Sequence, residues 1–138
     1  MSASHLQRLL SWYETLSPQS LADIADYYAA DAHFRDPFND VVGLAPIHAI
    51  FEHMFATTQA PRFVFQTRML DGNQAFVTWR FDCVIHRRLW QIQGSTYLRF
   101  DTAGLVVEHR DYWDAAEELY EKLPLIGSLL RLIKRTMR

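Results

Sequence analysis

The hydrophobic pattern of this chain changes period once, and that change constrains its class more than any other feature. Up to about residue 57, apolar residues recur at three- and four-residue intervals. Leu6, Leu9, Leu10 and Tyr13 share one helical face, as do Leu21, Ile24, Ala25 and Tyr28, and then Ile47, Ile50, Phe51 and Met54. "LSPQS" interrupts the first run, with Ser17 placed to cap and Pro18 at a first helical position. Three helices are therefore predicted, over 3–16, 18–28 and 44–57. "FRDPFNDVVG" between the last two reads as a short strand and loop, because Pro37 drives Asp36 out of helical geometry. After "TTQAP" the period becomes two, and strands are predicted over 63–70, 74–85, 89–100 and 105–113. "DGN" and "DTAG" are hairpin turns, and "HRR" at 86–88 is a short, less typical one. Helices followed by an antiparallel meander give an α+β domain with one curved sheet wrapped around the helices and a cavity between the layers.

Length and composition narrow the function classes. A chain of 138 residues, 49% hydrophobic and 14% aromatic, can bury one real core. One cysteine, Cys83, forms no disulfide framework within the chain and fits a reducing cytoplasm. No secretory signal pattern is visible, and no apolar run approaches the ~18 residues of a membrane span. A net charge of −2 gives no general reason to expect nucleic acid. The charge is uneven, however. Lys122, Arg131, Lys134, Arg135 and Arg138 fall in a closing stretch that holds no acid. Residues 1–121 thus read as the domain and 122–138 as an amphipathic basic helix. That helix would cover protein or make peripheral contact with a membrane surface.

Two places could carry chemistry. The first is "YYAADAHFRDPF", where Asp36 lies among Phe34, Pro37 and Phe38. It either caps a turn or sits in an apolar pocket, where poor solvation raises a carboxyl pKa toward the range useful for a base. The second is the last strand. Alternation puts Val107, His109, Asp111 and Trp113 on one face, the apolar flanks turning that face inward. His109 and Asp111 would then be neighbours about 7 Å apart along the strand. They would form an acid–base pair, or His109 would pair with Asp36, or the two would belong to a satisfied polar network.

"YAADAHFRDPF" resembles the Tyr-Ala-x-Asp-Ala-x-x-x-Asp-Pro signature of ketosteroid isomerases. "LRFDTAGLVVEHRDYWD" is similar to their closing Arg-Phe-Asp-x-x-Gly hairpin and last strand. Over roughly residues 5–114 the chain looks like the nuclear-transport-factor-two-like superfamily, in its ketosteroid isomerase and SnoaL-like polyketide cyclase branch. The resemblance implies a cone-shaped α+β fold, a deep apolar pocket for a small hydrophobic molecule, and a homodimer. It places Asp36 at the proton-shuttling aspartate, Tyr13 near the oxyanion-hole tyrosine, Tyr28 at a supporting tyrosine and Trp113 in the pocket wall. The cyclases' last-strand base makes Asp111 a second candidate. The chain departs from the isomerases where a third-strand aspartate becomes Thr96, a supporting tyrosine becomes Phe51, and apolar residues become His109 and Asp111.

The same reading implies an isomerase or cyclase working without a cofactor. Asp36 or Asp111 would take a proton beside a carbonyl, Tyr13 and Thr96 would steady the enolate, and His109 would assist. A non-catalytic binder of a lipid-like or polyketide-like ligand is the alternative. Strand parity adds Trp79, Phe81 and Cys83, then Ile92, Gly94, Thr96 and Leu98, to a pocket wall with Phe51 and Met54, although core packing explains many of them equally. No metal is expected, since His48 and His53 are five apart rather than four. Phosphate-loop, nucleophile-elbow and dinucleotide motifs are absent from the sequence.

Overall fold

The computed structural model describes residues 3–113. The basic stretch 122–138, and with it the proposed boundary at 121, lies outside the described residues. The first helix, α1 (Ala3–Glu14), buries Leu6, Leu9, Leu10, Trp12 and Tyr13, the predicted face plus Trp12. The Trp12 indole donates to the Ser20 carbonyl at 3.1 Å and stacks on Tyr27.

The second predicted helix is much shorter than its pattern suggests. A 3-10 helix spans Ser20–Asp26. Ser17, the predicted cap, instead closes the turn that leads into it, its Oγ accepting from the Ser20 amide at 3.0 Å while Ser20 Oγ accepts from the Ser17 amide at 2.9 Å; the residue at the N-cap is Gln19. Tyr28 then belongs to strand β1 (Tyr28–Arg35), not to a helix. The alanines of "YAADA" carry helical propensity, but tertiary pairing overrides it. β1 bonds to β2 (Asp40–Val42) on one side and to β6 (Val106–Tyr112) on the other. Helix α2 (Leu44–Thr57) runs over the predicted residues and buries Ile47 and Phe51.

Strands β3 (Gln59–Asp71), β4 (Gln74–Ile85), β5 (Arg88–Phe100) and β6 form the predicted meander. The six strands lie in the order β2-β1-β6-β5-β4-β3. The sheet is curved and unclosed. It is also mixed rather than wholly antiparallel, because β1 runs parallel to β6. A parallel neighbour needs a long crossover, and everything between β1 and β6 supplies it.

The β4–β5 ladder is unbroken from Gln74↔Arg99 to Ile85↔Arg88. Its two-residue turn places His86 (φ 52°) and Arg87 (φ 67°) in the left-handed region, the geometry of a type I′ hairpin without its usual Asn-Gly. Trp79 pairs with Gly94. A methyl group at position 94 would fall 2.6 Å from the Trp79 ring and 3.0 Å from the Tyr112 carbonyl, so the indole lies flat against bare backbone. One end of the layer between sheet and helices is solid, filled by Leu10, Leu21, Leu98, Phe100 and Val106. The other end, toward Trp113, stays hollow.

Two stability measurements check this account. Gly94→Ala should lower stability by about 1–3 kcal/mol, the scale of overpacking, with a lower urea midpoint and altered Trp79 fluorescence. Replacing His86-Arg87 by Asn-Gly should raise stability by about 1 kcal/mol, because the turn then adopts its dihedrals without strain.

Candidate active site

The hollow end is a cavity of about 220 Å³ between α1, α2 and the sheet. Its wall is almost entirely apolar, with a few polar groups set into it. Tyr13 enters from α1, Asp36 from the end of β1, Thr96 from β5, and His109 and Asp111 from β6. Of the predicted ligand-binding residues, Phe51, Met54, Trp79, Phe81, Thr96 and Trp113 line it. Tyr28 and Leu98 do not. Leu98 has the right parity but lies too deep, in the solid end, and Tyr28 stands behind the wall with 1% of its surface exposed.

Asp36 both closes a turn and lines the apolar cavity. Its Oδ1 accepts from the amides of Phe38 (2.8 Å) and Asn39 (2.6 Å), closing the turn over Pro37. The Asn39 side-chain amide reaches both carboxyl oxygens at 3.1 Å, leaving Oδ2 the less satisfied of the two. Burial pushes this carboxyl above its ordinary pKa. The hydrogen bonds from Phe38 and Asn39 oppose the shift, and the nearby Asp111 charge reinforces it.

The last-strand pair is joined to Tyr13 by one continuous chain of hydrogen bonds. His109 Nε2 meets Asp111 Oδ1 at 2.7 Å, and its Nδ1 meets the Tyr28 hydroxyl at 2.7 Å. Tyr28 and Tyr13 share a short hydrogen bond, and Tyr13 also lies 3.4 Å from the same Nδ1. His109 therefore pairs with Asp111 and not with Asp36. Its ring is held by Phe34, 4.4 Å away between centroids, and by Tyr28, stacked at 6.0 Å. On the far side, Trp79 Nε1 donates to Thr96 Oγ1 at 2.8 Å, and Thr96 donates to Asp111 Oδ1 at 2.6 Å. Thr96, expected as a donor to ligand, here directs its hydroxyl hydrogen to Asp111. Burial raises both tyrosine pKa values well above the usual phenol range, so both hydroxyls keep their protons.

Asp36, Asp111 and Trp113 also face an outer cleft, with Arg35, Pro37, Arg110 and Tyr112. The two carboxylates accordingly stand at the junction between a greasy interior and a wet exterior. Sequence reasoning missed Asn39, although its position three residues after Asp36 is where a turn-closing partner belongs. It also missed Phe63 and Phe65 of β3. They line the cavity opposite Phe81 and Trp79, and the alternation that located the latter pair applies to them equally.

Residues 9–109 match the model of the SnoaL-like domain. The chain belongs to the SnoaL-like domain family. Solved structures agree on the fold. A steroid delta-isomerase from Pseudomonas aeruginosa superposes with a TM-score of 0.66 at 17% identity, covering 98% of this chain and 92% of that one. An LEH-like epoxide hydrolase from M. tuberculosis gives 0.74 at 13% identity, covering 94% and 97%. A protein with a ketosteroid isomerase-like fold from Catenulispora acidiphila, solved with trimethylamine, gives 0.71 at 14% identity, covering 87% and 92%. None of the curated proteins matches the chain by sequence. Among the described residues, no helix is long and apolar enough to cross a membrane.

The Asp36 shift has a consequence for stability. A carboxyl whose pKa rises on folding favours the folded state while protonated, and loses that contribution as pH climbs through the raised value. Asp36→Asn keeps an oxygen for the Phe38 and Asn39 amides without the buried charge. The variant should melt higher than the parent at neutral pH, and the difference should shrink as pH falls into the ordinary carboxylate range. Thermal melts across pH measure it, and a constant difference would refute the buried-charge account.

Proposed function

We propose that this SnoaL-like protein is an acid–base catalyst for a small hydrophobic carbonyl compound, with Asp36 as the base. One observation carries the reading: a carboxylate raised by burial lines the same apolar cavity as a phenol that can face a developing oxyanion. Asp36 Oδ2 takes the proton from a carbon beside the carbonyl. The C–H electron pair moves into the enolate, whose oxygen meets the Tyr13 hydroxyl. In an isomerisation the same proton then returns to a different carbon, which restores Asp36; in a ring closure the enolate carbon instead attacks a second carbonyl of the substrate, and the resulting alkoxide takes the proton from Asp36. A preorganised donor at the enolate oxygen is often the largest catalytic contribution. The cavity volume of about 220 Å³ favours a substrate of one or two rings, since drug-sized pockets typically begin near ~300 Å³.

A second reading has its own support. Thr96 and Tyr13 both have their hydroxyls engaged within the protein, which suits a binder of an apolar ligand that does no chemistry. Native mass spectrometry of freshly purified protein would reveal a retained ligand.

A β,γ-unsaturated ketone such as 3-cyclohexen-1-one separates the readings, because its conversion to the conjugated ketone appears directly in ultraviolet absorbance. Turnover by the parent should fall by about 10²–10⁴-fold in Asp36→Asn, the usual weight of a positioned base, with no loss of folding. Undiminished turnover in the doubly substituted Asp36→Asn, Asp111→Asn protein would rule out the catalytic reading.

A further inference from the structure

We propose that His109 is a positioning residue that sets the direction of the hydrogen-bond chain from Asp111 to Tyr13. Tyr13 then offers a hydrogen to the cavity only when the His109–Asp111 pair holds one extra proton. The inference rests on the reading of Tyr13 as the oxyanion donor.

It follows from counting hydrogens. An ionised Asp111 can only accept, and its Oδ1 already accepts from Thr96. His109 Nε2, 2.7 Å from that oxygen, must therefore carry the hydrogen between them. In a neutral ring Nδ1 is then bare and accepts from Tyr28. With the Tyr28 hydrogen spent on the imidazole, the hydrogen in its short bond to Tyr13 has to come from Tyr13. Tyr13 consequently turns a lone pair toward the cavity, the wrong polarity for an enolate. The 3.4 Å approach of Tyr13 to Nδ1 does not help, because a bare nitrogen also only accepts.

One added proton reverses the links from His109 Nδ1 to Tyr13. Nδ1–H donates to Tyr28, Tyr28 donates to Tyr13, and the Tyr13 hydrogen is free to meet an anionic oxygen. The same reversal follows whether the extra proton sits on the imidazole or on the Asp111 carboxyl, since in both cases Nδ1 bears hydrogen; the proton belongs to the pair. Both phenols stay protonated through burial, as the count requires. The groups around His109 are Tyr13 from α1, Tyr28 and Phe34 from β1, and Asp111 from β6. Leu98 of β5 is its apolar cross-strand partner. Asp36 and His53 line the same cavity. The proton that orients Tyr13 is therefore distinct from the one that Asp36 shuttles, and binding an oxyanion draws it in from solvent.

The test is a binding measurement on the full chain carrying Asp36→Asn, which removes the titration of Asp36 and needs no turnover. Pentafluorophenol, ionised near neutral pH, supplies the oxyanion, and hexafluorobenzene has a similar shape without the oxygen. Calorimetry at about pH 8, above the ordinary histidine range, in buffers of different ionisation enthalpy, should report uptake of about one proton per phenolate bound and none for hexafluorobenzene. Adding His109→Gln should abolish the uptake, since the amide donates to Asp111 and accepts from Tyr28 but cannot gain a proton. Phenolate affinity should then fall about tenfold or more, the scale of a lost charge-assisted hydrogen bond, with hexafluorobenzene affinity unchanged. Phenolate binding without proton uptake, or with the same uptake in the His109→Gln protein, would overturn the relay and leave the oxyanion site standing. Hexafluorobenzene binding without phenolate binding would overturn the oxyanion site and the relay together.

Discussion

Everything at the site depends on the parallel pairing of β1 with β6. Phe34 sits opposite His109 and Arg35 opposite Arg110 in that ladder, which carries Asp36 to the side of Asp111. Neither strand could assemble the site alone. β6 brings an acid and an imidazole spaced two residues apart on one face, and β1 brings the second acid and Tyr28. Strands β3–β5 supply the curved, mostly apolar wall and, from β5, Thr96. A strand from the N-terminal half must return beside the last strand before two carboxyl groups face a single cavity.

This dependence explains what the sequence revealed and what it concealed. Most of the meander was legible, because alternation and hairpin turns are local signals; β4 runs over Gln74–Ile85, as the pattern predicts, whereas β3 begins at Gln59, inside the "TTQAP" read as a break, four residues before its predicted start. The short strand read from Phe34 was legible, but its start at Tyr28, the predicted helix end, was not, because Tyr28 pairs with Val106, almost eighty residues away. The mixed sheet was hidden for the same reason. Once β1 is a strand, Tyr28 no longer lies on a helix facing the pocket. It becomes the buried link between His109 and Tyr13.

The residues of the candidate site were more legible than their connections. Tyr13, Asp36, His109 and Asp111 do line one cavity. Side-chain parity predicts which face a residue occupies but not how deep along the strand the space remains open. Leu98 is the instance: it shares a face with Thr96 yet is sealed in the solid end. Hydrogen-bond direction is less accessible still. Thr96 is close enough to the cavity to look like a ligand donor, and only the 2.6 Å contact with Asp111 shows where its hydrogen goes.

The two carboxylates therefore suit different tasks, although both are aspartates at the mouth of one cavity. Asp111 is held by His109 and Thr96, and a carboxylate with such partners gains little by taking a proton from carbon. Asp36 has only neutral amide partners, its Oδ2 is lightly engaged, and burial together with the charge of Asp111 favours its protonated form. The bonds that make Asp111 an anchor for His109 and Thr96 leave it less suited to the role of base that the proposed function gives Asp36. Like charges at close quarters push titrations apart, and such separation lets one fold hold an acid and a base side by side. Under the proposed function, Asp111 acts by keeping His109 in place and by making ionised Asp36 a stronger base, so its removal would weaken proton abstraction without its carboxyl ever touching the substrate.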